Sequence, residues 1–332
     1  MADRRPNPLL SWLTYAVART VMFFFSIPSW ETADRLGTAL GVLAYRLGIR
    51  RGVVMENLEF VFASEKTPPD RRKSPEELQR IARATYANFG RVVVNYLRIF
   101  KQDDRFWAER TRCKNPEVLR EALKRGKGAM VLVAHMGGWE MGTGIAAHQD
   151  WPSHIIVKRI ANPVLNDLVN KGRRFTGVNP IPAKDSRDAI VAALDRNEVI
   201  CLVFDQSMTH RQGIYIDFFG RPATAIKSTA GIVRDTGTAI LGGANRRIGP
   251  GRYELVFYPE IPWVHHEDFE KARLINTQNY SRFIERVILE KPEDWFWLHR
   301  RWKIRGGSDE AVEEYRRRVE ELAAEGFDLA GT

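Results

Sequence analysis

The chain has 332 residues, 44% of them hydrophobic, and its formal net charge at pH 7 is +10. This length and apolar content exclude a mostly disordered protein and suit one large α/β domain or two smaller ones. The two cysteines, Cys113 and Cys201, belong to no Cys-x-x-Cys or Cys/His pattern. The sequence therefore argues against a disulfide framework and against a structural metal.

The excess of positive charge predicts an acidic partner. Nucleic acid, anionic lipid headgroups and an acidic carrier protein all meet that description. The sequence contains no recognised nucleic-acid-binding module, so we expect no nucleic acid. A membrane surface and an acidic carrier protein remain as the expected partners.

The first apolar segment, residues 9–28, is about long enough to cross a hydrocarbon core and contains one charge, Arg19. Trp12 and Trp30 flank it, as aromatic residues do at membrane interfaces. We interpret it as an uncleaved membrane anchor that either spans the bilayer or lies in its surface. The alternative is a buried or amphipathic core helix, because Arg19 near the middle is costly in lipid.

A second helix is predicted over residues 31–51, where Leu36, Leu40, Leu43 and Leu47 form one stripe. Residues 65–74 are polar and rich in proline, which indicates a surface connection. We therefore divide the chain into N-terminal membrane-associated helices, residues 1–64, and a larger domain, residues 65–332.

The larger domain begins with a helix from Ser74 to about Phe100, since Ser-Pro-Glu-Glu is a good helix start. Short apolar runs separated by helix-length segments then predict an α/β fold with a largely parallel sheet covered on both faces. A more alternating segment predicts an antiparallel strand near one edge, and the C-terminal helices are basic. The predicted strands are residues 129–134, 155–157, 199–204, 239–241 and 252–258, and the later helices are 276–290, 295–302 and 309–325.

His135 follows the first apolar run and is separated from Glu140 by Met136, a Gly pair and Trp139. Five residues along a helix rotate a side chain by about 140°, so His135 is expected on the loop and Glu140 in the first helical turn. There the carboxylate can orient the imidazole as a general base, and the N–H groups of the helix start face developing negative charge. Two residues make a weak motif, and a structural histidine is the alternative.

Further polar residues follow the other strands at the same sheet edge, where ligands collect in parallel sheets. Lys158 and Arg159 precede the Asn162-Pro163 helix start, an arrangement suited to a phosphate. Asp205 and Gln206 follow the next strand. A solvated pair of cations and a turn-capping aspartate are the alternatives. The segment from Phe218 to Pro222, which includes Arg221, predicts an apolar wall or core packing.

In this order, the segments resemble the bacterial lipid A biosynthesis late acyltransferase family, the lauroyl and myristoyl transferases of lipopolysaccharide biosynthesis. The resemblance covers nearly the whole chain. The motifs that carry it are Asn57-Leu58 before Phe62, His135 to Glu140, Asn162-Pro163, Asp205-Gln206, Phe218 to Ala223 and Trp295 to Lys303.

The resemblance implies a glycerolipid acyltransferase-like fold and an enzyme that moves a fatty acyl group from acyl carrier protein, or coenzyme A, to a glycolipid hydroxyl. It makes His135 the general base and Glu140 its orienting acid, with no cofactor or metal. The expected oxyanion donors are the backbone N–H groups of Gly137 and Gly138. The expected substrate-binding residues are Lys158, Arg159, Asn162, Asp205, Gln206 and Arg221.

Two departures from the family pattern concern the substrate. Gly138 stands where the family commonly has Asn, and the basic residue four positions before Asn-Pro is Lys158, which leaves open whether Lys158 or Arg159 reaches the ligand. Related members acylate phosphoinositide mannosides and aminolipids, so these acceptors are alternatives to a lipid A precursor. The resemblance also implies the bacterial inner membrane, with the catalytic domain on the cytoplasmic side.

Two other functions stay open at this point. A hydrolase would pass the acyl group to water, and a non-catalytic membrane protein would only bind lipid or carrier protein. No Gly-x-Ser-x-Gly motif occurs and neither cysteine lies in a nucleophile setting, so no acyl-enzyme is expected.

Overall fold

The computed structural model describes residues 7–209, 212–303, 309–327 and 329. Nine strands are described: β1 Thr111–Lys114, β2 Ala129–Val133, β3 Ser153–Val157, β4 Val178–Pro182, β5 Val199–Val203, β6 Gly213–Phe218, β7 Arg221–Ile226, β8 Ala239–Gly249 and β9 Arg252–Glu260. The helices are α1 Pro8–Ser26, α2 Trp30–Arg46, α3 Arg51–Phe62, α4 Pro75–Leu97, α5 Asp104–Arg110, α6 Pro116–Leu123, α7 Trp139–Ala147, α8 Pro163–Phe175, α9 Arg187–Asp195, α10 Ser228–Thr236, α11 Phe269–Glu290 and α12 Asp309–Ala324.

Seven strands form the central sheet in the order β1-β9-β8-β2-β5-β3-β4. Every neighbouring pair in it is parallel except β8 and β9, which confirms the largely parallel sheet and the antiparallel strand near one edge. All five residues of β2 are buried, because helices cover both faces of the sheet. The β6–β7 hairpin forms a separate two-stranded sheet.

The helix predicted over residues 31–51 is α2, which ends earlier, at Arg46, and residues 47–50 form a turn before α3 begins at Arg51. Gly48 and Arg50 adopt positive φ angles of 71° and 58°, which end α2 and let α3 begin in a new direction. By contrast, α4 agrees with the prediction, and its capping box joins Ser74 and Glu77.

The helix predicted over residues 295–302 is wrong. That segment is irregular, because its main chain pairs with the loop after β2: Met136 bridges to Trp295, and the Phe296 N–H donates to the His135 carbonyl at 3.0 Å.

The predicted boundary at residue 64 does not separate two cores. Val54, Leu58 and Phe62 of α3 are buried in the same apolar cluster as Met130 and Leu202 of the central strands.

Glycines let α2 pack closely against α4. A Cβ atom on Gly41 would clash with the Tyr86 carbonyl, and one on Gly90 would clash with the Gly37 carbonyl. The face of α2 that is buried therefore consists of small residues. Leu36, Leu40, Leu43 and Leu47 are on the other face, and 41 to 67% of each is exposed.

One helix of the described chain, α1, is long and apolar enough to cross a membrane. Ser11 is its one buried residue, so α1 is not a buried core helix, and the amphipathic alternative stays open. Arg19 is exposed and lies over the Phe100 ring, 5.6 Å from its centroid.

Candidate active site

His135 lies on the loop between β2 and α7, and Glu140 lies in the first turn of α7, as predicted. The His135 imidazole is held by a carboxylate, but that carboxylate is Asp205. Nδ1 of His135 is 2.7 Å from Oδ1 of Asp205, and the backbone N–H of His135 donates to Oδ2 at 3.0 Å.

The register of the sheet explains this pairing. Val133 of β2 lies opposite Val203 of the adjacent parallel strand β5, so the residues two positions further on, His135 and Asp205, lie side by side. The hydrogen bond that we expected between Glu140 and His135 is therefore not formed. Glu140 faces α8, where Oε1 accepts a hydrogen bond from the Arg173 guanidinium at 3.1 Å.

The Asp205 carboxylate is buried and accepts three N–H donors, if Nδ1 of His135 carries the ring proton. The third donor is the indole of Trp295, 2.7 Å from Oδ2. Burial alone raises the pKa of Asp205, but the charge of His135 and these hydrogen bonds outweigh it and hold that pKa well below its usual range. Asp205 is ionised and fixed in position.

The pairing with Asp205 also shifts the pKa of His135. Burial lowers the pKa of His135, yet the Asp205 carboxylate, with a contribution from Glu140, raises it above its ordinary value. With Nδ1 bound to Asp205, Nε2 is the nitrogen left for a substrate. The side chain is 21% exposed and is therefore accessible from solvent. This is the geometry that a general base requires.

Aromatic rings line the approach to His135. Trp139 packs edge-on at 5.4 Å between ring centroids, and Phe296 and Phe89 extend the same apolar wall. On the other side, the exposed Gln206 amide lies 3.3 Å from both ring nitrogens. The base thus lies between an apolar surface and a polar one.

The two predicted oxyanion donors differ in the structure. The Gly137 N–H donates to the Asp294 carbonyl at 3.0 Å and is not free, so that prediction is wrong. The Gly138 N–H has no partner within the described chain, and it lies at the N-cap of α7 beside the first free N–H groups of the helix. A Cβ atom on Gly138 would clash with the Tyr253 ring, which explains a glycine there.

The predicted substrate-binding residues are dispersed around the site. Lys158 and Arg159 are exposed after β3, and within the described chain neither has an ion-pair partner. Asn162 caps α8 by accepting from the N–H groups of Val164 and Leu165, which is a structural role.

Arg221 lies on the β7 hairpin, with its guanidinium 3.7 Å from the centroid of the Phe60 ring. No contact in the described chain joins it to His135. Phe218 is buried behind the site, 6.0 Å from Trp295 between ring centroids, which agrees with core packing.

Sequence reasoning missed Arg173 and Trp295. Arg173 has no local signal, because it comes from the last turn of α8 and reaches Glu140 through tertiary packing. Trp295 belongs to a conspicuous Trp-Phe-Trp segment, but its contact with Asp205 spans 90 residues of sequence.

Neither cysteine is suited to act as a nucleophile. Burial raises the pKa of both Cys113 and Cys201 to about 11, so both are thiols at neutral pH. Within the described ranges, no group of three or more His, Cys, Asp or Glu residues is placed to hold a metal ion.

The family model for bacterial lipid A biosynthesis acyltransferases matches residues 3–304. The chain belongs to this family. It is thus an acyltransferase, and the resemblance noted from its motifs is confirmed.

Relatives within this acyltransferase family differ in acceptor. The chain is 24% identical over 297 residues to the lipid A biosynthesis lauroyltransferase of Escherichia coli (strain K12), covering 89% of this chain and 92% of that one. It is 24% identical over 300 residues, with the same two coverages, to the lipid A biosynthesis palmitoleoyltransferase of that organism. A phosphatidylinositol mannoside acyltransferase of Mycolicibacterium smegmatis is 26% identical over 233 residues, covering 69% of this chain and 73% of that one.

Proposed function

We propose that this acyltransferase moves a fatty acyl group from acyl carrier protein, or coenzyme A, to a hydroxyl of a lipid A precursor or related glycolipid. The observation that carries the mechanism is the His135–Asp205 pair, which fixes Nδ1 and leaves Nε2 as an acceptor whose one nearby polar group in the described chain is the exposed Gln206 amide, at 3.3 Å. In that pair, Asp205 takes the orienting role that the motif alone suggested for Glu140.

The reaction proceeds by direct attack in a ternary complex. Nε2 of His135 accepts the proton of the lipid hydroxyl as its oxygen bonds to the thioester carbonyl carbon. The free N–H groups at the start of α7, beginning with Gly138, stabilise the oxyanion. Collapse of the tetrahedral intermediate breaks the carbon–sulfur bond, and the leaving thiolate takes the proton from the His135 imidazolium.

Glu140 and Arg173 support this step without touching the ring. Glu140 adds negative charge near His135, which stabilises the imidazolium, and Arg173 holds that carboxylate in place. Lys158 and Arg159, exposed beside α8, bind the phosphates of the acceptor or donor.

The loss of the base tests this proposal. His135→Ala should lower turnover by about 10²- to 10⁴-fold, the usual contribution of general base catalysis, without unfolding the protein. Near-normal transfer by the folded variant would refute it. A transferase consumes the thioester only when the acceptor is present, whereas a hydrolase consumes it without one. If no acceptor supports any transfer, a protein that only binds lipid is favoured.

The acceptor is best identified in cells. Comparing total lipids with and without the gene by mass spectrometry should show one missing acylated species. A lipid A intermediate that accumulates one chain short supports the lipid A acceptor. A missing acylated phosphoinositide mannoside or aminolipid supports the alternative acceptor that the mycobacterial relative favours.

The partners follow from the charge of +10. Acyl carrier protein is acidic and inner-membrane lipids are anionic, so we place the enzyme on the cytoplasmic side of the bacterial inner membrane, where acyl carriers occur. Raising the salt concentration should weaken carrier binding more than it slows a single turnover. If neither carrier binding nor the rate of a single turnover changed with salt, the proposed role of the positive charge would be contradicted.

A further inference from the structure

Exposed apolar side chains are concentrated in the N-terminal helices. Thirteen of the sixteen large hydrophobic residues that are exposed in the described chain lie between Leu9 and Ile49, in α1, α2 and the turns after them. So many exposed apolar side chains in two successive helices mark an interaction surface.

A surface helix of a soluble protein normally buries its apolar side chains, but α2 exposes them. Its glycine face is already packed against α4, and its leucine face points outward. Rotating α2 to bury the leucines would break the close Gly37–Gly90 and Gly41–Tyr86 approaches. The leucine face is therefore available for an external apolar partner.

The whole length of α1 lies along the domain. Near its start Ser11 is buried, at its middle Arg19 stacks on Phe100, and at its end the Arg98 guanidinium donates to the carbonyls of Phe25 and Pro28 at 2.8 and 2.9 Å. Along this length, α1 packs mainly against α8.

That packing is incompatible with a crossing helix. Nineteen residues span about 28 Å, close to the hydrocarbon thickness, so a crossing α1 would carry α8 into the lipid. On α8, Asp167 and Lys171 form an exposed ion pair at 3.2 Å, and the exposed Lys101 belongs to a segment that packs against α8. Charges at that depth are costly.

We propose that α1 and α2 lie flat in the surface of an anionic bilayer, so that the enzyme enters one leaflet and α1 does not cross. The exposed faces of these two helices are the lipid-contacting platform. Arg46, Arg50 and Arg51, all exposed at the end of the leucine face, meet the anionic headgroups. This inference rests on the proposed membrane-associated function and deepens it.

The platform adjoins the active site through α8. That helix carries Arg173, which holds Glu140, and it ends with Phe175, which is 47% exposed. A glycolipid in the occupied leaflet thus approaches His135 along α8 without leaving the membrane surface.

Depth measurements with nitroxide labels test the proposal on the full chain. Single cysteines replace Leu10, Val17 and Phe24, which share one exposed face of α1, and Leu43 on α2. The background is Cys113→Ala with Cys201→Ala, and the control is a label at the exposed Ala189 of α9. The protein is added to phosphatidylethanolamine–phosphatidylglycerol vesicles, and collisions with oxygen and with a water-soluble nickel chelate give each depth.

Flat helices give the same depth, about 5–10 Å below the headgroups, for the three α1 labels, and they place Leu43 in lipid and Ala189 in water. A crossing helix instead puts Val17 near the bilayer centre, about 15 Å deep, with Leu10 and Phe24 shallow, and overturns the proposal. A Leu43 label shielded from both reagents, as in a dimer interface, also overturns it.

Lipid charge provides the second measurement. Replacing the anionic lipid with phosphatidylcholine should weaken binding on the order of 100-fold, because three arginines each contribute about fivefold. Unchanged binding would overturn the anionic part of the proposal. Both readouts are independent of turnover, so an enzyme inactive towards every glycolipid would refute the proposed function and leave this inference standing.

Discussion

Replacing Asp205 by asparagine changes which ring nitrogen of His135 carries the proton. Oδ2 of Asp205 accepts from both the His135 backbone N–H and the Trp295 indole, so the amide oxygen of asparagine must occupy that position. Its NH₂ group then faces Nδ1 at the position of Oδ1. Nδ1 becomes an acceptor, and the proton moves to Nε2, which can no longer act as the base.

The size of the effect follows from the triad analogy. The same acid-to-amide change in a serine protease triad lowers kcat by about 10⁴-fold through the wrong tautomer. We expect a loss of about 10³- to 10⁴-fold in steady-state acyl transfer for Asp205→Asn, with little change in KM. Circular dichroism of the variant should show the native helix content.

Glu140→Gln is the matched comparison, because it also removes one carboxylate near His135. It leaves the tautomer intact, so kcat should fall by less than about tenfold. In the wild type, kcat/KM falls as the pH drops through the raised pKa of His135, since the protonated ring is no base. Without the charge of Glu140 that pKa falls, and the acid limb moves to lower pH. If Glu140→Gln lost more activity than Asp205→Asn, the assignment of Asp205 as the orienting acid would be refuted.

Three further predictions concern stability, each measured by urea denaturation. Trp295→Phe removes a hydrogen bond to the Asp205 carboxylate and should lower the free energy of unfolding at pH 7 by about 2 kcal/mol; no change would contradict the importance of that bond. Gly90→Ala forces α2 and α4 apart and should cost about 1–3 kcal/mol, whereas Gly52→Ala, in open space on α3, should be neutral or stabilising; equal effects would refute the close packing. Burial raises the pKa of Glu285 from 4.5 to about 7, so its contribution to stability is full below about pH 4 and is lost as the pH rises to 7. Glu285→Gln should remove this dependence. The free energy of unfolding of the variant, relative to that of the wild type, should therefore rise by up to about 3 kcal/mol between pH 4 and pH 8. Parallel pH profiles of the two proteins would contradict this prediction.

Local patterns predicted five of the seven strands of the central sheet and missed β1 and β4, the two strands at its edges. The apolar runs before His135 and Asp205 are strands β2 and β5, because parallel strands buried on both faces are continuously hydrophobic. Strand order is a tertiary property, and no local pattern shows that β2 and β5 are neighbours. The sequence therefore offered Glu140, five residues away, as the partner of His135, although the register of two distant strands selects Asp205.

Periodicity also left the burial of helices undetermined. It predicted the leucine stripe of α2 but not that glycines on the opposite face would be the buried ones. The segment after Trp295 has helix-like spacing, yet its backbone hydrogen bonds with the His135 loop outweigh that preference. Interactions between residues far apart in sequence account for both differences.

The main-chain pairing of the Trp295 segment with the His135 loop also sets the timing of biogenesis. The ribosome releases residues 7–62 long before it makes Asp294, Trp295 and Phe296, which complete the support of the catalytic loop. A nascent chain that binds the bilayer through the proposed platform therefore does so before its catalytic loop is supported. The loop is complete only as synthesis finishes, when, on the proposed function, the enzyme is already at the membrane surface.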